Sequence, residues 1–131
     1  MLLDATHHLP TILIAEDERI LQELYAELCA EEGLVIIQAF DGLAAWDAIS
    51  HRKDISLIIL DLMMPGMSGE AIIEKISRQP DHVPVVVVTA AHGHASDSLE
   101  EIGRGKIVRI AKGEVGIRTI VQAIATYLAH S

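Results

Sequence analysis

The sequence predicts an α/β fold, a doubly wound five-stranded parallel sheet with five helices on its two faces. Three observations lead there. Strand-like and helix-like patterns alternate from Thr11 to the C-terminus, which is the signature of βα units. The runs "LIIL" (57–60) and "VVVV" (85–88) are apolar without a break, as strands covered on both faces must be. No linker, repeat or low-complexity segment divides the chain, so residues 1–10 are expected to be a tail and residues 11–131 one domain.

The strands are expected at Thr11–Ala15, Val35–Ala39, Ile55–Leu60, Val83–Ala90 and Lys106–Ala111. Between the first two, Leu21, Leu24, Tyr25 and Leu28 recur at i, i+3, i+4, i+7 and predict one buried helical face. Gly33 is placed to end that helix. "DGLAAWDAIS" opens on a turn pair and continues as a short helix with Leu43, Trp46 and Ile49 near one side. "SGEAIIEKISR" puts Ile72, Ile73 and Ile76 on a helix. "ASDSLEEIG" predicts a short fourth helix. "IRTIVQAIATYLA" closes the chain with Ile117, Ile120, Val121, Ile124 and Leu128 on one face. Parallel neighbours require right-handed crossovers.

Composition narrows the function. Half of the 131 residues are hydrophobic but only 3% are aromatic, so the core must be aliphatic. The net charge is -9, with no basic stripe to follow a phosphate backbone, so no direct nucleic-acid binding is expected. An anionic membrane surface would repel the chain, and no apolar run approaches the roughly 18–20 residues of a membrane span, so no membrane insertion is expected. The N-terminus has no basic region of the signal-peptide kind. The single Cys29 cannot form an internal disulfide and fits a reducing, cytoplasmic setting; it reads as a packed side chain rather than a reactive thiol.

Ligands of open α/β sheets bind beyond the carboxyl ends of the strands. Glu16, Asp17 and Glu18 follow the first strand, Asp61 ends the third, Thr89 the fourth, and Lys112 follows the fifth. Asp17 and Asp61, with Glu16, make a concentrated acidic site that calls for a cation between them. Oxygen ligands without His or Cys suit Mg²⁺. A carboxylate can itself attack phosphorus. Lys112 and the Thr89 hydroxyl could then stabilise the transferring group. "IILDLMMPGMSGE" (58–70) drives an apolar strand straight into Asp61, and Pro65 and Gly66 then turn the chain away so that the carboxylate stays reachable.

The pieces "ILIAEDE", "LIILDLMMPGMSG", "VPVVVVTA" and the late Lys112 resemble the receiver domain of two-component response regulators over nearly the whole chain. The resemblance implies a flavodoxin-like sheet of order 2-1-3-4-5. It implies that Asp61 accepts a phosphoryl group from a phosphohistidine on a sensor histidine kinase or a histidine phosphotransfer protein. Asp17 would ligate Mg²⁺ directly, Glu16 through water, and the Met63 backbone carbonyl would add a ligand. Thr89 and Lys112 would contact the phosphoryl group. Phosphorylation would shift the population of two forms and reshape the surface around the fourth helix and fifth strand for a downstream protein target.

Two positions depart from the family. Arg109 stands where an aromatic residue is usual, three before the lysine. It is expected to be a solvated edge-strand charge, or to bind a carboxylate such as Glu100 or Glu101. Gly113 replaces the usual proline after the lysine, so a trans bond is expected there. Met63 and Ala91 occupy positions that tune water access to the phosphate in the family, and neither offers a base. His92 and His94 are expected to be solvated rather than metal-binding. Glu16–Glu18 could also cap the first helix.

Taken as a complete chain, the sequence has no DNA-binding segment after the last helix, so signalling through protein–protein contacts, or a place within a phosphorelay, is expected; a domain excised from a hybrid kinase or a larger regulator reads the same. The alternative is a pseudo-receiver that binds partners without turning over phosphate. A flavodoxin-like mononucleotide binder would need a Gly-, Ser- or Thr-rich loop where "EDER" stands. A phosphatase of the haloacid dehalogenase type would need an aspartate where Met63 stands.

Overall fold

The computed structural model describes residues 9–90, 97–103, 107–113 and 115–130. Five strands form one parallel sheet: β1 (Thr11–Ala15), β2 (Val35–Ala39), β3 (Ile55–Leu60), β4 (Val85–Thr89) and β5 (Ile107–Ala111). Their order is β2-β1-β3-β4-β5, as expected. The helices are α1 (Arg19–Glu31), α2 (Gly42–His51), α3 (Gly69–Ser77) and α4 (Ile117–Ala129).

The expected count of five helices is corrected to four α-helices among the described residues. The fourth predicted helix contributes only a 3-10 turn, Leu99–Glu101. Ser98 caps that turn with a reciprocal box, its side chain accepting from Glu100 N while Glu101 Oε2 accepts from Ser98 N. Three residues present too few apolar positions to hold a longer helix against the sheet. Ala95 and Ser96 of that prediction lie outside the described residues.

Alternation along the strands builds two cores. Ile12, Ile14, Leu57, Ile59, Val86, Val88, Val108 and Ile110 pack with the inner faces of α1 and α4. Leu13, Ala15, Ile58, Leu60, Val85 and Val87 pack with α2 and α3. The α3 stripe is buried as predicted through Ile72, Ile73 and Ile76, and that of α4 through Ile120, Val121 and Ile124.

The buried stripe of α1 is Gln22, Tyr25, Leu28 and Cys29, so its phase differs from the prediction. Leu24 is 37% exposed and Leu43, at the start of α2, 62% exposed. A buried glutamine breaks the apolar pattern and shifts the apparent phase. Helix α1 ends as expected: Gly33 has φ +73°, Leu34 N donates to Cys29 O and Gly33 N to Ala30 O, the paired bonds of a Schellman close. No described helix is long and apolar enough to cross a membrane.

Candidate functional site

The acidic residues meet where β1 and β3 run side by side. Ala15 pairs with Leu60, so the next residues, Glu16 and Asp61, emerge together, and Asp61 N donates to Ala15 O at 3.0 Å. Asp61 is buried, and its Oδ1 accepts from Met63 N at 3.1 Å. Lys112 arrives beyond β5, its backbone N 2.7 Å from Thr89 O. Its Nζ stands 3.7 Å from Glu16 Oε1 and 3.8 Å from Asp61 Oδ2. Thr89 is buried at the end of β4. The structure thus brings Glu16, Asp17, Asp61, Thr89 and Lys112 to one edge of the sheet, as the sequence predicts. The Met63 side chain is exposed there.

The loop after Asp61 is held by close backbone packing. A Cβ on Gly69 would sit 2.5 Å from Leu62 Cα and 2.8 Å from Asp61 O. A Cβ on Gly42 would sit 1.6 Å from Met67 O, and Gly42 N donates to Pro65 O at 2.9 Å. Gly66 takes φ +82°, the left-handed turn open to glycine. Asp41 caps α2 by accepting from Ala44 N, and Ser68 caps α3 by accepting from Ala71 N. These contacts fix the turn that points Asp61 out of the sheet.

Carboxylate oxygens of Glu16, Asp17 and Asp61 lie within 4.8 Å of one another. Burial pushes the Glu16 carboxyl up to about 7; the Glu18 N–H and Lys112 oppose the shift, and the Asp61 carboxylate adds to it. One ammonium beside three carboxylates leaves surplus negative charge, and an all-oxygen donor set of this kind fits a hard divalent cation. Glu16 Oε2 accepts from Glu18 N at 3.1 Å. Of Glu16, Asp17 and Glu18, Glu18 is the N-cap residue of α1, but its side chain makes no cap bond.

Arg109 is a partly exposed charge on edge strand β5, as expected, but the carboxylate it meets is neither Glu100 nor Glu101. Its Nη1 lies 3.1 Å from Glu70 Oε1, in the first turn of α3. Its backbone is bonded in both directions to Asp97, N to Oδ2 at 2.9 Å and O from Asp97 N at 2.8 Å. Residue spacing could not find Glu70, because 39 positions separate the pair. Gly113 has φ +91°, and no described peptide bond is cis. His92, His94 and Ala91 lie outside the described residues.

Sequence reasoning also missed Gln22, which is fully buried beneath Glu16. The signal was present as a polar residue inside an apolar helical stripe.

Residues 12–125 match the response regulator receiver domain. Sporulation initiation phosphotransferase F of Bacillus subtilis is 30% identical over 117 residues, 89% of this chain and 92% of that protein. The transcriptional regulatory protein TctD of Salmonella typhimurium is 34% identical over 79 residues, 60% of this chain and 35% of that protein. The aligned region spans about a third of the length of TctD and of several other relatives. Among solved structures, a signal receiver domain from Vibrio parahaemolyticus is similar with a TM-score of 0.74 and 27% identity, covering 94% of this chain and 92% of that one. The response regulator TrrA of Thermotoga maritima, solved in complex with Mg²⁺-BeF, is similar with a TM-score of 0.66 and 28% identity, covering 81% of this chain and 89% of that one. The sheet order, the acidic cluster at its carboxyl edge and the match along nearly the whole chain lead to one assignment: the chain belongs to the response regulator receiver domain family of two-component systems.

Proposed function

We propose that the chain accepts a phosphoryl group on Asp61 from a phosphohistidine of a sensor histidine kinase or histidine phosphotransfer protein, and passes the signal on through protein–protein contacts. The observation that carries this reading is the Asp61 carboxylate, buried at a strand end, with Lys112 Nζ 3.8 Å away and two further carboxylates beside it. An Asp61 oxygen attacks phosphorus as the P–N bond breaks. The bonding pair leaves with the donor's imidazole, which takes up a proton. Lys112 carries positive charge toward the transferred oxygens, and the Thr89 hydroxyl supplies a hydrogen bond.

Glu16, Asp17 and Asp61, with the Met63 carbonyl, would hold Mg²⁺. When bound, the ion offsets the negative charge that gathers on the phosphoryl oxygens. The chain assists its own phosphotransfer and dephosphorylation and turns over no other substrate. Residues 11–131 form the receiver unit in this reading, and a cytoplasmic setting suits its kinase partners.

Intact mass after incubation with acetyl phosphate tests the proposal. Wild type should gain one phosphoryl group only with Mg²⁺, and Asp61→Asn should gain none. A folded, Mg²⁺-loaded wild type that gains none from acetyl phosphate or from a phosphorylated histidine phosphotransfer protein would make the chain a pseudo-receiver.

A further inference from the structure

Gln22 belongs to α1, yet none of it is exposed. Its side-chain amide leaves the helix and reaches the carboxyl ends of two strands. Nε2 lies 2.9 Å from Ala39 O, 3.0 Å from Ile14 O and 3.0 Å from Glu16 O. Three acceptors around one group set the amide's orientation, nitrogen toward the carbonyls. An amide nitrogen carries only two hydrogens, so the three carbonyls share them. Oε1 is buried and has no hydrogen-bond partner among the described residues. An apolar side chain would pack in this place without that cost.

We propose that Gln22 is a positioning residue that clamps the Glu16–Asp17 turn for the divalent cation. The inference rests on the reading of the acidic site given above. The chain leaves β1 at Ala15 and turns at once into Glu16 and Asp17. Glu16 N donates to Ala39 O at 3.0 Å, the same carbonyl that Gln22 reaches. Gln22 holds the Glu16 carbonyl inward, and Glu18 N holds the Glu16 carboxylate at 3.1 Å. The clamp is itself anchored: Gln22 N donates to Glu18 O at 3.0 Å, and Gln38 Nε2 donates to Gln22 O at 3.2 Å.

Without the amide, the Glu16 carbonyl loses this side-chain donor. A buried carbonyl short of a donor turns toward one. That rotation carries the Glu16–Asp17 peptide with it and moves the Asp17 carboxylate away from Glu16 and Asp61. Gln22 would therefore act on the cation through the turn, without touching it.

Four proteins test this: wild type, Gln22→Met, Gln22→Asn and Leu28→Ala. Gln22→Met keeps length and removes the donors. Gln22→Asn keeps the amide one methylene short, and serves if the methionine variant does not fold. Leu28→Ala removes a buried side chain from the same helix and leaves the three carbonyls alone. Two measurements are made, the Mg²⁺ dissociation constant by calorimetry and amide hydrogen exchange at Glu16, Asp17 and Glu18 in chelator.

The Gln22 variants should bind Mg²⁺ about ten- to a hundredfold more weakly, as supporting residues of metal sites do. Their turn amides should exchange faster, and Leu28→Ala should show neither change beyond its loss of global stability. A Gln22 variant that binds Mg²⁺ as wild type does overturns the clamp, and so does an equal weakening in Leu28→Ala. If wild type itself binds no Mg²⁺, the reading of the acidic site fails. Exchange at the three amides then decides whether Gln22 holds the turn, and wild-type exchange in both Gln22 variants overturns that as well.

Discussion

Arg109 on β5 reaches Glu70 at the start of α3, with 3.1 Å between Nη1 and Oε1. The pair ties the last strand to the helix that follows the Asp61 loop. Arg109 stands at the position where the resemblance leads one to expect an aromatic residue, and here it carries an ion pair on the surface.

Both partners are well exposed, 43% and 63% by side chain, and such pairs contribute about 0–1 kcal/mol. Glu70→Gln should therefore change urea-unfolding stability by less than about 1 kcal/mol. A double-mutant cycle with Arg109→Gln measures the coupling, and a much larger value would show that the pair is shielded from water.

The close backbone packing around the Asp61 loop predicts a larger loss. Gly42→Ala places a methyl 1.6 Å from Met67 O, so backbone must move. Overpacking of this kind costs about 1–3 kcal/mol or more. Thermal melts should show it, and phosphorylation of Asp61 should slow because the Pro65–Met67 turn is displaced.

Glu16 sets a pH dependence with a definite sign. Its carboxyl titrates near 4.5 when unperturbed and is pushed up to about 7 in the fold, mainly by burial. The folded state therefore favours the protonated form. The stability contributed is fully present below about 4.5 and is lost as pH rises through about 7. Metal-free melts between about pH 5 and 8 should show wild type falling relative to Glu16→Gln. Because Mg²⁺ competes with that proton, calorimetry in two buffers of different ionisation heat should detect proton release on binding near neutral pH.

Lys112→Met tests the role of the ammonium. Phosphorylation by acetyl phosphate at saturating Mg²⁺ should slow by about a hundredfold, the order seen when one charge-stabilising donor is removed. Mg²⁺ binding should persist, since the lysine contributes charge opposite to that of the acids. Wild-type rates would remove Lys112 from the reacting set.

Cys29 should resist alkylation. It is buried, and burial, reinforced by the nearby Glu32 carboxylate, pushes its thiol up to about 11. The thiolate is the reactive form, so iodoacetamide should label Cys29 only as fast as the protein opens. Labelling in urea should be faster by orders of magnitude.

Wherever one periodicity ran unbroken, the sequence alone determined the outcome. "LIIL" and "VVVV" are strands buried on both faces, and Ile72, Ile73 and Ile76 line the inner side of α3. The strand ends are marked by the polar residue that stops each of these apolar runs, which sets Glu16, Asp61, Thr89 and Lys112 at one edge. Tertiary structure decided what depends on residues far apart in the chain. The phase of α1 follows from Gln22, whose amide is buried because three carbonyls from β1, its following turn and β2 converge on it. The partner of Arg109 is Glu70, the residue that the turn of the Asp61 loop brings within reach, and not the nearby Glu100 or Glu101. Among the described residues, the fourth predicted helix is only the 3-10 turn Leu99–Glu101, whose end brings Ile102 into the core. Period and strand ends are local properties of a chain, whereas the donors that satisfy buried carbonyls and the charges that meet across elements are fixed only when the sheet assembles.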